Sequence, residues 1–402
     1  MPMTETQALL ERALRHMTPN YTPPPFVAVK GAGTRLWDTD GKEYLDFATG
    51  IGVNALGHAH PAVAAAIAAQ AATLTHTSNT FYNDKYIALC ERLASISSCA
   101  RVFLCNSGTE AVEAALKTAR RFFFENGAAR TGFVATHNSF HGRTYGGLTV
   151  TGQPNLQQGF GPLLPDVSHV PYGDLEAMRA AVGPKTAAVI VEPIQGNGGI
   201  LVAPKGYLAG LREITKKAGA LLIFDEVQTG IGRTGKWFAH QHDEVVPDIM
   251  TSAKAVGGGL PLGAMLTTDA IAAVALKPYS HASTFGGNPV ACAAGLATLD
   301  VIVKEGLLAN CARMGGVAQE LFQAVASKRP MLKEFRGRGL MVGLALDRPA
   351  KPLQKACLAR GLLTTTAGNT VLRLLPPLNV QGAEMERAAT IIAEAMADPS
   401  VA

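Results

Sequence analysis

The sequence predicts an α/β fold in which a mainly parallel sheet is covered by helices on both faces. Short apolar runs alternate with amphipathic or alanine-rich stretches of helical length. Short buried strands that alternate with helices are typical of parallel sheets, whose crossover helices cover both faces. The 402 residues, 48% of them hydrophobic, also provide enough apolar side chains for a large core.

The first fifty residues differ from the rest of the chain in their predicted secondary structure. Residues 27–47 (VAVKGAGTRLWDTDGKEYLDF) predict short strands with a turn at Asp40–Gly41. Pro19 and Pro23–Pro25 prevent a continuous helix before them. These features predict a separate N-terminal segment, residues 1–50.

The alternation of helices and strands begins at about Ala62 and predicts a large domain over residues 51–300. The predicted helices cover 62–73, 84–95, 110–125, 174–182 and 206–218, with a long helix from Pro289 to Val303 at the end. The predicted strands cover 101–105, 132–136, 187–192, 220–225, 248–251 and 263–267.

Residues 301–402 mix helices with strands, in MVGLALD, GLLTTTAG and VLRLLPPLNV. This pattern predicts a smaller α/β domain at the C-terminus. In a sheet of the predicted kind, ligands bind at the carboxyl ends of the strands. The residues that follow the strands of the large domain are therefore the candidates for a functional site.

Composition excludes several classes of function. The net charge of +5 is spread over single Lys and Arg residues, so a nucleic-acid-binding stripe is not expected. The six cysteines and the histidine pairs at 58/60 and 240/242 lack the ligand spacing of a metal site, so no metal is predicted. Neither a signal peptide nor a membrane span is found, and we expect a soluble cytoplasmic protein.

Two neighbouring predicted strands end in residues that can perform chemistry together. The run ALLIF leads into Asp225, and the next strand, PDIMTSA, leads into Lys254. Each alone is more often a structural residue. Together, a desolvated amine and a carboxylate form the pair that pyridoxal 5′-phosphate (PLP) needs, because the amine forms an imine with its aldehyde and the carboxylate keeps its ring nitrogen protonated.

A candidate phosphate anchor follows another strand. RVFLC runs into Asn106–Glu110 and then into a predicted helix, and Ser107 with Glu110 has the spacing of a capping box. A simple helix cap is the common reading, but the start of a helix also binds anions. Residues Gly230–Gly235 fit the dinucleotide pattern G-x-G-x-x-G without the strand and helix that it requires, so we interpret them as a loop.

Seven segments in order resemble the class III PLP-dependent aminotransferases. They are NSGTEAVEAALK, SFHGRT, VEPIQGNGG, LLIFDEVQTGIGRTGKWFA, PDIMTSAKAVGGGLPLGAML, STFGGNPVAC and VLRLLPPL, spanning Asn106 to Leu378. Within the class, the likeness is greatest to acetylornithine aminotransferases, followed by ornithine and 4-aminobutyrate aminotransferases. The resemblance implies PLP fold type I, with the N-terminal segment packed on the small domain.

The resemblance also implies roles for individual residues. Lys254 holds the cofactor and moves protons, and Asp225 pairs with the ring nitrogen. The other implied cofactor contacts are Ser107, Gly108, Thr109, Phe140, Val227, Gln228 and, from a neighbouring subunit of a homodimer, Thr284.

For the substrate, the resemblance implies that Arg143 holds the carboxylate far from the reacting carbon and Arg373 the one beside it, since guanidinium groups bind carboxylates in a bidentate way. Tyr21 matches a substrate-binding tyrosine of ornithine aminotransferases. Many relatives have a glutamate where this chain has Asn197, and that glutamate pairs with the arginine equivalent to Arg373. The hypothesis is that Arg373 stays more available here, with Glu192 as a nearby acid that partly replaces the glutamate.

The resemblance implies transfer of the terminal amino group of N-acetylornithine or a similar ω-amine to 2-oxoglutarate, giving the semialdehyde and glutamate in arginine biosynthesis. Ornithine or 4-aminobutyrate as donor stays open. So does an aminomutase or epimerase on the same fold, although two carboxylate-binding arginines favour transfer to a second, dicarboxylate substrate. Whether 2-oxoglutarate or pyruvate is the acceptor also stays open.

Overall fold

The computed structural model describes residues 4–22 and 25–401. The prediction about Pro23 and Pro24 lies outside these residues. The strands, in chain order, are β1 (Ala28–Ala32), β2 (Arg35–Asp38), β3 (Glu43–Asp46), β4 (Arg101–Cys105), β5 (Gly132–Thr136), β6 (Val167–Val170), β7 (Thr186–Val191), β8 (Ile194–Gln195), β9 (Leu201–Val202), β10 (Leu221–Asp225), β11 (Ile249–Ser252), β12 (Gly263–Thr267), β13 (Leu332–Arg338), β14 (Met341–Leu346), β15 (Leu362–Leu363), β16 (Thr365–Ala367) and β17 (Val371–Leu374).

The helices match the predicted ones within a few residues wherever a helix was predicted. They are α1 (Glu5–His16), α2 (Thr49–Gly52), α3 (Pro61–Ala71), α4 (Asp84–Ile96), α5 (Gly108–Glu125), α6 (Tyr145–Val150), α7 (Pro154–Gln157), α8 (Leu175–Ala181), α9 (Tyr207–Ala218), α10 (Asp269–Ala275), α11 (Pro289–Lys304), α12 (Leu307–Ala326), α13 (Lys351–Ala359) and α14 (Gly382–Ala395). Within the described part of the chain, no helix combines the length and the apolar character that crossing a membrane requires.

A seven-stranded sheet in the order β4-β12-β11-β10-β7-β5-β6 forms the centre. Strand β12 runs antiparallel to its neighbours β4 and β11, and the other pairs are parallel. The carboxyl ends of β4, β5, β7, β10 and β11 therefore lie along one edge. This edge is where the predicted functional residues follow the strands.

Both faces of the central sheet are buried, which explains its continuous apolar strands. Ile190 and Ile223 pack in one cluster with Val112 of α5. Val189, Leu222 and Phe224, whose side chains alternate with these, pack in a second cluster with helices α8 and α9. Successive side chains of a strand point to opposite faces, so an apolar residue is needed at each position.

The C-terminal strands form a second sheet in the order β13-β14-β17-β16. The N-terminal strands β1, β2 and β3 form a third sheet, which β15 completes by running parallel to β3, with Leu362 opposite Leu45. The predicted turn at Asp40–Gly41 lies between β2 and β3, and Gly41 has a φ of 80°. The first fifty residues thus pair with the C-terminal part of the chain.

Candidate functional site

A cavity of about 470 Å³ lies at the carboxyl edge of the central sheet. Most of the predicted site residues line it. These are Ser107, Gly108, Thr109, Phe140, Arg143, Glu192, Asp225, Val227, Gln228 and Lys254. Tyr21, Asn197, Thr284 and Arg373 do not line it.

Lys254 follows β11 and opens a short 3₁₀ turn that ends at Gly257. Its backbone has a φ of 50°, a left-handed conformation that is uncommon for a residue with a side chain. Desolvation lowers the pKa of its amine to about 8, and the positive charge of Arg373 also lowers it. The negative charges of Asp225 and Glu192 act in the opposite direction. A neutral, nucleophilic amine is therefore accessible near pH 8.

Asp225 ends β10 and is held in place by three hydrogen bonds. Its Oδ1 accepts from the Val227 amide and from the Thr251 hydroxyl, both at 3.0 Å. Its Oδ2 lies 2.7 Å from Nδ1 of His141. The carboxylate is only 4% exposed, so its orientation toward the cavity is set by these partners.

His141 is a residue that the sequence reasoning missed, although it belongs to the quoted segment SFHGRT. It is buried, it lines the cavity, and it contacts Asp225 through Nδ1. Its other ring nitrogen, Nε2, is buried without a hydrogen-bond partner among the described residues. Because a carboxylate only accepts hydrogen bonds, the Nδ1–H of His141 donates this one to Asp225. Only its place in this segment singles out His141 in the sequence, since nothing in the local pattern indicates the contact with Asp225.

The start of helix α5 forms one end of the cavity. Ser107 caps the helix by accepting from the Glu110 amide at 3.2 Å. The Glu110 carboxylate accepts from the Asn106 amide rather than from that of Ser107, so the predicted capping box is displaced by one residue. The amides of Gly108 and Thr109 precede the first intrahelical bond of α5, donated by Ala111, and can serve an anion.

Two glycines permit close approach around this helix start. A Cβ on Gly108 would lie 2.8 Å from Cγ1 of Val227, which lines the same cavity. A Cβ on Gly142 would lie 2.1 Å from Oγ1 of Thr109, and Gly142 has a φ of 125°. The helix start, Val227 and the Phe140–Arg143 segment are thus packed as closely as their backbones allow.

Arg373, in strand β17, bonds to the side chain of Gln228, a residue that lines the cavity, and all of its hydrogen-bond acceptors are neutral oxygens. Its Nη1 donates to Oδ1 of Asn197 at 2.8 Å and to Oε1 of Gln228 at 3.3 Å. Its Nε donates to the Thr365 hydroxyl at 2.9 Å. Desolvation lowers the pKa of the guanidinium to about 10, and the charge of Glu192 opposes this. The group is therefore charged at neutral pH.

Glu192 is buried beside these groups. Its two oxygens accept from the amides of Phe140 and Gly196, each at 3.0 Å, rather than from Arg373. Burial raises the pKa of its carboxyl, and the negative charge of Asp225 also raises it. His141 and the two backbone amides lower the pKa, but less than burial raises it. Glu192 thus acts on Arg373 through charge at a distance and holds the Phe140 segment in place.

Arg143 lies at the mouth of the cavity, with its guanidinium carbon 5.7 Å from the centre of the Phe140 ring. It also lines a second cavity, to which Tyr21 belongs. Thr284 is exposed on the loop between α10 and α11. Tyr21 and Thr284 are therefore not brought together with Lys254 within one chain.

The histidine pairs at 58/60 and 240/242 include residues that contact carboxylates of the protein. His58 contacts Asp46 at 2.8 Å, and His240 contacts Glu226 at 2.9 Å. Within the loop Gly230–Gly235, the buried Arg233 donates to the carbonyls of Leu340 and Pro376. This loop joins the central sheet to the C-terminal strands.

The residues around the cavity fit PLP. Free amides at a helix start suit a phosphate, Phe140 and Val227 provide apolar surface for a flat ring, and Asp225 and Lys254 provide the carboxylate and the amine. The absence of a Cβ at Gly108 lets Val227 pack against the start of α5.

Comparison with known proteins gives concordant results. A family model for aminotransferase class-III matches residues 16–396. An acetylornithine aminotransferase from Streptomyces coelicolor is 50% identical over 93% of this chain and 92% of its own. A Toxoplasma gondii ornithine aminotransferase with PLP at partial occupancy in its active site is 36% identical, with a TM-score of 0.92 over 98% of this chain and 94% of its own. The structure of an acetylornithine aminotransferase from Elizabethkingia anophelis is 32% identical, with a TM-score of 0.87 over 98% of this chain and 99% of its own.

Proposed function

This chain belongs to the class-III aminotransferases, and on that premise we propose that it transfers the terminal amino group of N-acetylornithine, or of a similar ω-amine, to 2-oxoglutarate. The products are the corresponding semialdehyde and glutamate, in a step of arginine biosynthesis. The observation that carries the proposal is the convergence of Lys254, Asp225 and Arg143 on one cavity. The acetylornithine aminotransferase from Streptomyces coelicolor is 50% identical, whereas the Toxoplasma gondii ornithine aminotransferase is 36% identical. The higher identity favours N-acetylornithine over ornithine as the donor.

Class-III aminotransferases depend on PLP, which when bound withdraws electrons from the carbon that carries the amino group. In this chain the amides of Gly108 and Thr109, with the Ser107 hydroxyl, would hold its phosphate. Phe140 and Val227 would contact its ring. Gln228 would approach the ring hydroxyl.

Lys254 would hold the cofactor and move the proton. Its Nζ has a pKa lowered to about 8, so the neutral amine can accept a proton from the substrate carbon and return it to a neighbouring atom. Arg373 contributes to this lowering, which links the substrate-binding cation to the basicity of Lys254.

Asp225 would keep the ring nitrogen protonated. The carboxylate needs a fixed orientation for this role, and the Thr251 hydroxyl and the His141 ring supply it through bonds of 3.0 and 2.7 Å. His141 is thus a positioning residue, because it acts through Asp225.

The two arginines would select the substrates. Arg143 would hold the carboxylate far from the reacting carbon, which is the α-carboxylate of N-acetylornithine and the γ-carboxylate of 2-oxoglutarate. Arg373 would hold the carboxylate beside the reacting carbon of glutamate. Since Arg373 bonds to the neutral Asn197, its charge is available to that carboxylate.

We propose a homodimer in which Thr284 reaches the phosphate of the neighbouring site. The loop that carries Thr284 also carries two exposed aromatic residues, Tyr279 and Phe285. The Asn79 side-chain amide donates to the Ser283 carbonyl at 2.8 Å, which connects this loop to the segment with the exposed Phe81 and Tyr82. Contiguous exposed apolar surface is typical of interfaces. The six free thiols support the proposal of a reducing compartment, the cytoplasm.

The test is a comparison of amino donors with the PLP-loaded enzyme and 2-oxoglutarate, with glutamate measured as product. We expect kcat/KM for N-acetylornithine to exceed that for ornithine and 4-aminobutyrate, and activity to vanish in Lys254→Ala. A reaction without any keto acid serves as the control for an isomerase. A higher kcat/KM for ornithine, or turnover of one substrate without acceptor, would overturn the proposal.

A further inference from the structure

A third cavity, of about 590 Å³, lies against the C-terminal half of helix α5, from Lys117 to Phe124. The cofactor cavity lies at the start of the same helix, and none of the described residues lines both. From Thr109 to Lys117 the helix rises by about 12 Å. The volume of the third cavity is within the range of about 300–1,000 Å³ that is usual for ligand sites. The third cavity is therefore a separate space, which the proposed reaction does not use.

Cationic side chains are concentrated in the lining of the third cavity. They are those of Lys117, Arg120, Arg121 and Arg130. Among the described residues that line the cavity, none is an aspartate or a glutamate. Within the described part of the chain, only Arg121 of the four has a carboxylate at salt-bridge distance, that of Glu125 at 2.5 Å, and Lys277 shares this carboxylate. The cavity therefore carries a positive charge that its own residues do not balance.

Two of the arginines are held in place by neutral groups. The Nε of Arg120 donates to the Thr131 carbonyl at 2.8 Å, and its guanidinium carbon lies 5.0 Å from the centre of the Phe133 ring. The Nη1 of Arg130 donates to two backbone carbonyls, at 2.9 and 3.2 Å. Burial lowers the pKa of Arg120, and Asp166, which opposes this, bonds to the Thr131 hydroxyl at 2.9 Å. Neutral partners orient both guanidinium groups without neutralising them, so their charges are available to an anion.

Lys117 also bonds to a neutral partner. Its Nζ lies 2.8 Å from Nδ1 of His281, and because an ammonium group only donates, the histidine accepts. Burial and then the charge of Lys117 lower the pKa of His281, so this ring is neutral at neutral pH. Glu113, one turn before Lys117, accepts from the Thr144 hydroxyl and the Gly146 amide instead. The charge of Lys117 thus adds to that of the arginines.

The rest of the lining is mostly apolar. Phe124 is 72% exposed and lies on the same face of α5 as Lys117 and Arg121, at helical spacing. The guanidinium carbon of Arg121 lies 5.6 Å from the centre of the Phe124 ring. The other apolar lining residues are Ala128, Ala129, Ala275 and Leu276. A small inorganic anion would leave this apolar wall in water, and a neutral apolar ligand would leave the cations without a partner. The lining therefore fits an anion that also carries a flat, mostly apolar group.

We propose that the third cavity binds a nucleoside phosphate. The cations of Lys117, Arg120 and Arg121 hold its phosphate groups, since guanidinium groups match phosphate oxygens in a bidentate way and an ammonium group binds them as a point charge. The base lies against Phe124 and the apolar wall, because every base has a flat face that stacks on an aromatic ring. The helix start at Gly108 and Thr109 stays free for the cofactor, so PLP and the nucleoside phosphate bind at the same time.

Three probes, titrated into the PLP-loaded enzyme by calorimetry, separate the two parts of the ligand. They are adenosine triphosphate (ATP), inorganic tripolyphosphate and adenosine. We expect ATP to bind at least about fivefold more tightly than tripolyphosphate, because a base stacks on an aromatic side chain. Adenosine should bind more weakly than either, since it lacks the charge that the cations require. Equal affinities of ATP and tripolyphosphate would mean a general anion site and overturn the proposal, as would an absence of ATP binding.

Two substitutions on α5 place the ligand in this cavity. Lys117→Glu should weaken both ATP and tripolyphosphate about tenfold or more, because it replaces a charged donor by a like charge. Phe124→Ala should weaken ATP about fivefold or more and leave tripolyphosphate unchanged. Lys328→Glu, on an exposed residue after α12, makes the same change of charge away from the cavity and should leave ATP binding unchanged, because salt screens distant charges.

The pattern of the variants decides between this cavity and other places on the protein. If ATP binds equally to the wild type and to Lys117→Glu, it binds elsewhere, for example at the substrate-binding arginines, and the proposal is wrong. If Lys328→Glu weakens ATP as much as Lys117→Glu does, the binding follows net charge and not the cavity, which also overturns the proposal. The visible absorption of bound PLP verifies that each variant is folded.

Discussion

We expect the acid–base behaviour of Lys254 to set the pH range in which the site takes up its cofactor. Only the neutral amine attacks an aldehyde, and desolvation lowers the pKa of this amine from 10.5 to about 8. The rate at which the cofactor-free protein captures PLP should therefore rise about tenfold per pH unit below pH 8 and level off above it. Stopped-flow absorbance across pH 6–10 measures this dependence.

A substitution of Arg373 tests the cause of the lowered pKa of Lys254. The charge of Arg373 is the second cause of the lowered pKa of Lys254. In Arg373→Met the levelling-off point should move to higher pH, because one opposing charge has been removed. A wild-type midpoint near 10.5, or no movement in the variant, would contradict the assignment.

We predict that Asn197 affects how available the charge of Arg373 is to substrate. Its Oδ1 accepts from Nη1 of Arg373 at 2.8 Å, and a glutamate here would place a carboxylate against the guanidinium. Asn197→Glu should lower kcat/KM for glutamate and raise it for ω-amines, changing the ratio about tenfold or more, as expected for a charged hydrogen bond of about 1.5–3 kcal/mol. Single-turnover kinetics of each half-reaction measure the ratio.

The control for this variant is Asn197→Gln, which has the length of glutamate without its charge. It should leave the ratio within a few-fold of the wild type. If Asn197→Glu leaves the ratio of glutamate to ω-amine unchanged, then the charge of Arg373 is not what distinguishes the two substrates.

At the residue scale, the sequence predicted groups that follow neighbouring strands and missed groups that meet through folding alone. Asp225 and Lys254 end β10 and β11, which pair in the sheet, so their proximity followed from the strand order. His141 meets Asp225 from a segment 84 residues away. Nothing in the local pattern around His141 indicates that contact.

At the element scale, the strands with continuous apolar runs were predicted, and strands rich in charged residues outside such runs were not. Strand β5 matches its predicted bounds, 132–136, and all five of its residues are buried, so the apolar run itself marks the strand. Strand β13 was not predicted, since its sequence, LKEFRGR, carries four charged residues and a register shift after Leu332. Only its pairing with β14 makes it a strand, and that pairing is not visible in local periodicity.

Helix α12 provides a matched pair of glycines for a stability test. A Cβ on Gly315 would lie 2.6 Å from the Gly339 carbonyl oxygen, whereas a Cβ on the exposed Gly316 would meet nothing within 4 Å. Gly315→Ala should destabilise the protein by about 1–3 kcal/mol, because backbone must move. Gly316→Ala should stabilise it by up to about 1 kcal/mol, since alanine is the better helix former.

Thermal unfolding of the two variants beside the wild type measures the difference. The melting temperature should fall for Gly315→Ala and stay equal or rise for Gly316→Ala. Similar shifts in both variants would mean that helix propensity, rather than the contact between α12 and the Gly339 turn, decides the outcome.

At the scale of the whole molecule, the predicted fold class is confirmed by both the central sheet and the aminotransferase structures of TM-score 0.87 and 0.92. The division into residues 1–50, 51–300 and 301–402 remains a proposal. The pairing of β3 with β15 supports it, because it attaches the N-terminal strands to the C-terminal part of the chain. That pairing joins segments more than 300 residues apart, and no local pattern in the sequence indicates it.

We proposed that a second subunit completes the cofactor site, and this agrees with Thr284 being exposed and lying outside its own chain's cavity. If Thr284 serves the neighbouring site, Thr284→Ala should weaken PLP binding about tenfold through loss of one hydrogen bond to a charged group.

A mixed dimer tests whether Thr284 acts across the subunit boundary. Co-expression of Lys254→Ala and Thr284→Ala chains with different tags yields such dimers. In each mixed dimer, the site that retains Lys254 receives an intact Thr284 from the other chain, so it should bind PLP with wild-type affinity. Action within one chain predicts instead that every site with Lys254 keeps the weakened affinity. Equilibrium titration of the purified mixed dimer distinguishes the two, and a monomeric protein in sedimentation would contradict the shared site.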